Sequence, residues 1–337
     1  MRSGLVALVI VAPFVVGVAV ADPGPEGESV FTFQDREINE SSGLVVLDDV
    51  AVTVNDSGDS ARIFVVSPDD GSSEALSYGG SAVDVEALAP AAKDERAVWV
   101  GDIGDNLAKR SDLSVVHVPL DGSAASRHPV SWKGGPADAE TLMVHPVTGQ
   151  MYVVTKDVVD GEVLRGPATL SSSGNVFAPV AKAPALITDG AFFGDGKHFI
   201  LRNYGAAYVF ETSSMKQVGV IDLPVQTQGE GIAVTPSGEV WLSSEGVNSE
   251  VLRIELPAEI ASAVGVARGA APTPVPSASP SSSSSPSDSE SPIPGPSSEQ
   301  NPAGNEDLDG PAVLPWLLGG LAAVIAFGVL IRSLRPR

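Results

Sequence analysis

Five times along the chain an acidic residue opens a short apolar run: Glu40-Ser-Ser-Gly-Leu-Val-Val, Glu86-Ala-Leu-Ala-Pro, Glu140-Thr-Leu-Met-Val, Asp189-Gly-Ala-Phe-Phe and Glu230-Gly-Ile-Ala-Val. Successive acids are 46, 54, 49 and 41 residues apart. Each run leads into a turn, clearest at Pro146–Gly149 and Pro236–Gly238, then into a second run, a polar loop and a third run. A period of about 40–50 residues with four strands per repeat is the sequence pattern of a β-propeller blade. Five markers predict five blades, with a six-bladed ring containing one degenerate repeat as the alternative. A pair of β-sandwiches would give short strands but no acidic period.

The rest of the region from 29 to 260 agrees with an all-β chain. Its apolar runs are four to six residues long, rich in Val, Ile, Tyr and Phe, and bounded by Gly, Asp, Asn, Ser or Pro. None carries sustained helical periodicity; the one weak helix candidate is Pro257–Val266 at the end. The fifth repeat shows only three strands before the chain turns Pro-rich, and an orphan strand at Ser29–Phe33 precedes the first marker. The orphan is expected to supply the missing outer strand and close the ring.

The flanks belong to no core. Residues 1–21 carry one Arg, a long apolar stretch and Ala19-Val20-Ala21 ahead of Asp22, the pattern of a cleaved signal peptide. Residues 268–310 are built from Pro, Ser, Gly, Ala and acids, a solvated and extended stalk. Residues 312–331 are 20 residues without a charge, the length of a transmembrane helix. Arg332, Arg335 and Arg337 follow the span and Glu306, Asp307 and Asp309 precede it, so residues 332–337 are expected to be a cytoplasmic tail. The expectation is a single-pass membrane protein whose N-terminal domain is extracellular. The chain has no Cys, so the exported domain relies on core burial rather than disulfides. Lys is scarce beside Arg, and Ala, Val and Gly abound, which suggests a high-GC bacterium.

Setting aside Arg2 and the three tail arginines leaves 16 basic residues against 42 acidic ones, a net charge of −26. Such a surface repels nucleic acid and anionic lipid and suits cations or basic partners. In a propeller blade, the loop entering the first strand and the loop between the second and third strands lie on one face. The marker acids Glu40, Glu86, Glu140, Asp189 and Glu230 are therefore expected to form an inner ring at the channel mouth. The second loops form a shell around it: Asp56 in NDSGD, Asp102, Asp105 and Asn106 in VWVGDIGDN, Lys156 and Asp157, Arg202 and Asn203, and Glu245. Crowded carboxylates with few counter-charges favour a hard cation, Ca²⁺ or Mg²⁺, with the five markers as candidate ligands. Equally, an acid at each strand start can simply accept backbone N–H groups at the blade junction. Lys156 and Arg202 can hold an anionic ligand group or serve as counter-ions to the acids. Trp99 and Trp241 occupy equivalent second-strand positions and read as core. No G-x-S-x-G, H-E-x-x-H or Walker loop is present, and the four His show no metal spacing.

The stretches Glu40-Ser-Ser-Gly-Leu, Asn55-Asp-Ser-Gly, Gly101-Asp-Ile-Gly-Asp-Asn106 and Glu230-Gly-Ile-Ala resemble those of secreted bacterial propellers grouped with the esterase-like, phytase-type proteins. The resemblance spans roughly 35–256 and implies a propeller, Ca²⁺ on the channel face and ester or phosphoester hydrolysis. The chain departs from it in showing five markers rather than six and few basic residues for phosphate. Two functions follow as expectations. The first is a membrane-anchored extracellular binding or scaffold module at the cell envelope, with an unidentified small-molecule or envelope ligand. The alternative is a metal-dependent hydrolase of a small phosphoester, ester or lactone.

Overall fold

A computed structural model describes residues 25–92 and 96–266. The signal-peptide, stalk, transmembrane and tail segments expected from the sequence lie outside the described residues. Among the described residues no helix is long and apolar enough to cross a membrane.

The described chain is all-β and of propeller type. Blade I is β2 (Ser41–Val46), β3 (Ala51–Asn55), β4 (Arg62–Val66) and β5 (Ser73–Ser77). Blade II is β6 (Val85–Pro90), β7 (Ala97–Asp102), β8 (Ser114–Pro119) and β9 (Ser126–Trp132). Blade III is β10 (Ala139–Val144), β11 (Met151–Thr155), β12 (Gly161–Arg165) and β13 (Asn175–Ala183). Blade IV is β14 (Asp189–Phe192), β15 (His198–Arg202), β16 (Ala206–Glu211) and β17 (Lys216–Asp222). Blade V is β18 (Gly229–Val234), β19 (Val240–Ser244), β20 (Glu250–Ile254) and, outermost, β1 (Glu28–Thr32). The orphan N-terminal strand thus lies where the sequence places it, antiparallel to β20 with Glu28 opposite Arg253. The first strands neighbour one another in the cyclic order β2, β6, β10, β14, β18 and back to β2. A single turn of helix, α1 (Ala258–Ala263), follows and buries Ile260 against blades IV and V.

Burial explains which strands the sequence shows. Strands β2, β3, β10 and β11 are buried along their whole length, so they read as continuous apolar runs. The outer strands β5, SEALS, and β9, SRHPVSW, face solvent and carry little apolar signal. Strands β9 and β13 also pair in parallel, Asn175 opposite Val130, which joins blades II and III into one eight-stranded sheet. Trp132 and Phe177 meet edge to face at 5.7 Å over that seam.

The ring is narrow, and small residues make it so. A Cβ on Gly43 would meet the Leu88 amide nitrogen of blade II at 2.8 Å, and one on Gly231 of blade V would meet Leu44 Cβ of blade I at 2.9 Å. In Gly43→Ala the obstacle is backbone, so blades I and II must part. The expected cost is about 1–3 kcal/mol, read as a lowered thermal midpoint.

Candidate functional site at the channel mouth

Four of the five first strands begin with a break in register. The shift falls between Ser41 and Gly43, Val85 and Ala87, Ala139 and Thr141, and Gly229 and Ile232. The bulged residue turns toward the mouth. It is Ser42 in blade I, Glu86 in II, Glu140 in III and Glu230 in V. In blade IV Thr188 takes the equivalent place: its hydroxyl donates to the Glu230 carbonyl at 2.8 Å, as Ser42 donates to the Glu86 carbonyl at 3.1 Å. The ring is therefore three glutamates and two hydroxyls rather than five acids.

Two marker acids stand apart from these bulged positions. Glu40 stands two residues ahead of the ring, exposed, its carbonyl accepting from the Asp56 N–H just as the Asp84 and Asp138 carbonyls accept from Gly104 and Lys156. Asp189 stands one residue inside the ring with 0 % of its surface exposed. Its carboxylate accepts the Gly190 N–H at 2.7 Å and the Ile232 N–H at 2.8 Å, and it also accepts the Leu44 N–H. It thereby ties the first strands of blades IV, V and I. Burial pushes its carboxyl up, while those amides and Arg202 pull the other way.

The second-loop residues divide in the same manner. Asp102 is buried against Arg110, at 2.7 Å, and Arg127, and accepts the Val83 and Asp84 N–H groups. Asp105 accepts the Lys109 and Arg110 N–H groups at 2.7 and 2.9 Å. Asn203 staples its own turn through Gly205 and Ala206. Asn106 and Asp157 are exposed, and Asp157 accepts the Val159 N–H. Arg202, also 0 % exposed, donates to the Gly231 carbonyl at 3.0 Å and the Ser243 carbonyl at 3.3 Å. Burial lowers its pKa to about 10. These side chains hold the scaffold. Trp241 packs edge to face on Phe31 at 6.2 Å in the core, whereas Trp99 is half-buried beside His117 and His128.

What remains at the mouth is a compact acidic group. One carboxylate oxygen each from Asp56, Asp84 and Glu86 lies within 4.8 Å of the others. Burial, Glu140, Asp56 and Asp84 together push the Glu86 carboxyl up to about 10. Burial and Asp56 raise Asp84 to about 6, and burial and Glu230 raise Glu245 to about 7. Lys156 Nζ contacts Glu140 Oε2 at 2.5 Å. Burial raises the Glu140 carboxyl to about 8, with Lys156 restraining it. Burial would lower Lys156, but Glu140 and Glu230 outweigh it and its pKa rises. The Tyr204 hydroxyl bonds both Lys156 and Glu230, and burial with the Glu230 charge raises it to about 12. Asp84, Asp138, Ser42 and Thr188 are site residues that the marker pattern does not reach. The repeated Asp-x-Glu at 84–86 and 138–140 is the signal that could have found the two acids.

This is an all-β propeller-type protein with a carboxylate cluster, where its first strands begin, that could hold a metal ion. No protein-family model matches the chain, and no curated protein matches it. Among solved structures it is similar to a glucose dehydrogenase, at 10 % identity and TM-score 0.44 over 69 % of this chain and 100 % of that one. It is also similar to a gluconolactonase from Xanthomonas campestris, at 14 % identity and TM-score 0.41 over 64 % of this chain and 72 % of that one. The chemistry of the mouth rests on its own residues.

Proposed function

We propose that the mouth binds a divalent cation between Asp56, Asp84 and Glu86, and that the protein is a metal-dependent hydrolase of a small ester, lactone or phosphoester. The observation that carries this reading is the convergence of three carboxylate oxygens, with Glu140 standing between Glu86 and a Lys156–Tyr204 pair that holds protons. The donor set fits: hard oxygens, no thiol or imidazole, and a surplus of negative charge that a cation would compensate. A bound Ca²⁺ would polarise a carbonyl or phosphoryl oxygen. Glu245, with its carboxyl near 7, has the basicity to take a proton from water at neutral pH. The Tyr204 hydroxyl, bonded to Lys156, can return one to a leaving alkoxide. On the pattern of residues 1–21 and 312–331, the same reading sets the domain outside the cell on a single-pass anchor.

The alternative is a binding or scaffold module with no turnover. It is favoured by the engagement of Lys156, the cation at the mouth, with Glu140. The test is hydrolysis of p-nitrophenyl acetate, δ-valerolactone and p-nitrophenyl phosphate by the full chain, with Ca²⁺ and with chelator. Calcium-dependent turnover is expected, falling by about 10²-fold or more in Glu245→Gln and disappearing in Glu86→Gln. Calcium binding without turnover on any substrate would establish the binding module instead.

A further inference from the structure

Thirteen large hydrophobic side chains are exposed among the described residues, and their placement is uneven. Eight lie on the two sets of loops that surround the acidic mouth, including Val83, Leu107, Val158, Val159, Val225 and Val247. The described loops that turn at the opposite face contribute Val147 alone. Exposure is high: 83 % for Val225, 76 % for Val159 and 74 % for Leu107. The loops concerned belong to blades II to V and to the connection from blade I to blade II, while the loop entering β2 and the loop between β3 and β4 carry none, so the apolar groups form an arc around the mouth. A small substrate touches one or two neighbouring loops; only a larger partner can cover the whole arc. Leu186 and Ala108, on these same loops, hold the left-handed backbone at φ 57° and 50°, which a non-glycine residue adopts only at a cost. Highly exposed aliphatic side chains gathered on one face mark a surface shaped for contact rather than solvation.

The centre of the arc fixes the occupant's charge. Asp56, Asp84 and Glu86 gather there beside Glu140, and Glu140, Glu230 and Glu245 stand near Lys156. A nucleic acid or anionic lipid is repelled by that field, and a purely apolar partner would leave buried carboxylates without compensation. We infer that the mouth face docks a protein segment whose centre is basic and whose flanks are apolar, the cation entering the carboxylate ring and the flanks lying on the aliphatic rim. This goes beyond the hydrolase reading and needs neither turnover nor a bound metal.

The test uses the full chain in nanodiscs, in chelator, with short fluorescent peptides and anisotropy as the readout. A peptide with a Lys-Lys centre flanked on both sides by Leu is expected to bind, and to bind more weakly as salt rises. Peptides with Glu in place of Lys, or Ser in place of Leu, are expected not to bind. Leu107→Ser/Val158→Ser/Val159→Ser/Val225→Ser should weaken the Lys–Leu peptide by about tenfold or more. Val218→Ser/Val220→Ser, exposed on β17 away from the mouth, should leave it unchanged. Equal binding by both variants, binding of the Glu–Leu peptide, or capture of protein-free zwitterionic vesicles through the rim residues would overturn the inference.

Discussion

Asp189→Ala will unfold at a much lower urea concentration than the parent chain, with a loss of about 3–5 kcal/mol. The carboxylate accepts the Ile232 N–H, reaching from blade IV to blade V, and it also takes the Gly190 and Leu44 amides. Removing it leaves buried donors unpaired, each costing about 1–3 kcal/mol. It also strips Arg202, equally buried, of one of the two acids that raise its pKa. Asp189→Asn keeps one acceptor oxygen and should lose less. Asp157→Ala, exposed on its loop, should stay within about 0.5 kcal/mol of the parent. Against a total stability of about 5–15 kcal/mol, the first substitution removes a large fraction. Equal midpoints for Asp189→Ala and Asp157→Ala would contradict a tie between blades and return Asp189 to the candidate ligands.

That contrast shows where sequence reading stops. The acidic period is legible because each first strand must be apolar, buried and begun at the same face, so its entry residue recurs whatever the loops do. The register within the period is not. Glu40 heads a run that looks like the others, yet the bulge in blade I falls on Ser42, and a hydroxyl bonded to Glu86 replaces a carboxylate. In blade IV the acid lies one residue further in and faces backbone amides instead of the channel. Nothing in an acid followed by an apolar run tells a ligand from an amide acceptor. Asp102 and Asp105 make the same point in VWVGDIGDN: Asp105 takes the Lys109 and Arg110 N–H groups of its own loop, and Asp102 takes the Arg110 side chain from that loop and Arg127 from β9, so the acids hold the loop and its blade in shape. Outer strands such as β5 and β9 leave little trace because their faces are solvated. Asp84 and Asp138 escape the marker alignment because they stand two residues ahead of it. Their role appears only when the Asp84 carboxylate meets Asp56 from the neighbouring blade.

The same cluster makes stability depend on pH in an unusual direction. Glu86, Glu140, Glu245 and Asp84 all have carboxyls raised in the fold, to about 10, 8, 7 and 6. Between the ordinary carboxylate range and those values the folded chain holds more protons than the unfolded chain. Stability is therefore complete below about pH 4 as far as these groups are concerned, and drains away as pH climbs through the raised values. Lys156 does not oppose this, since its pKa is raised from an already high value and it stays charged across the window. In chelator the melting temperature is expected to fall between pH 5 and pH 9, by the equivalent of about 2 kcal/mol or more, since a tenfold difference in proton affinity between the folded and unfolded chain is worth about 1.4 kcal/mol. A cation reverses the trend, because its ligands must lose their protons to bind it. Added Ca²⁺ should thus raise the melting temperature little at pH 5 and strongly at pH 8. Glu86→Gln removes the most raised carboxyl without changing its shape, so it should flatten the fall in chelator and abolish most of the calcium response together. Scanning calorimetry of the full chain across pH, with and without Ca²⁺, reads both. A melting temperature flat from pH 5 to pH 9 in chelator would mean the carboxyls at the mouth are solvated and independent, and a calcium response of equal size at both ends would place the cation elsewhere.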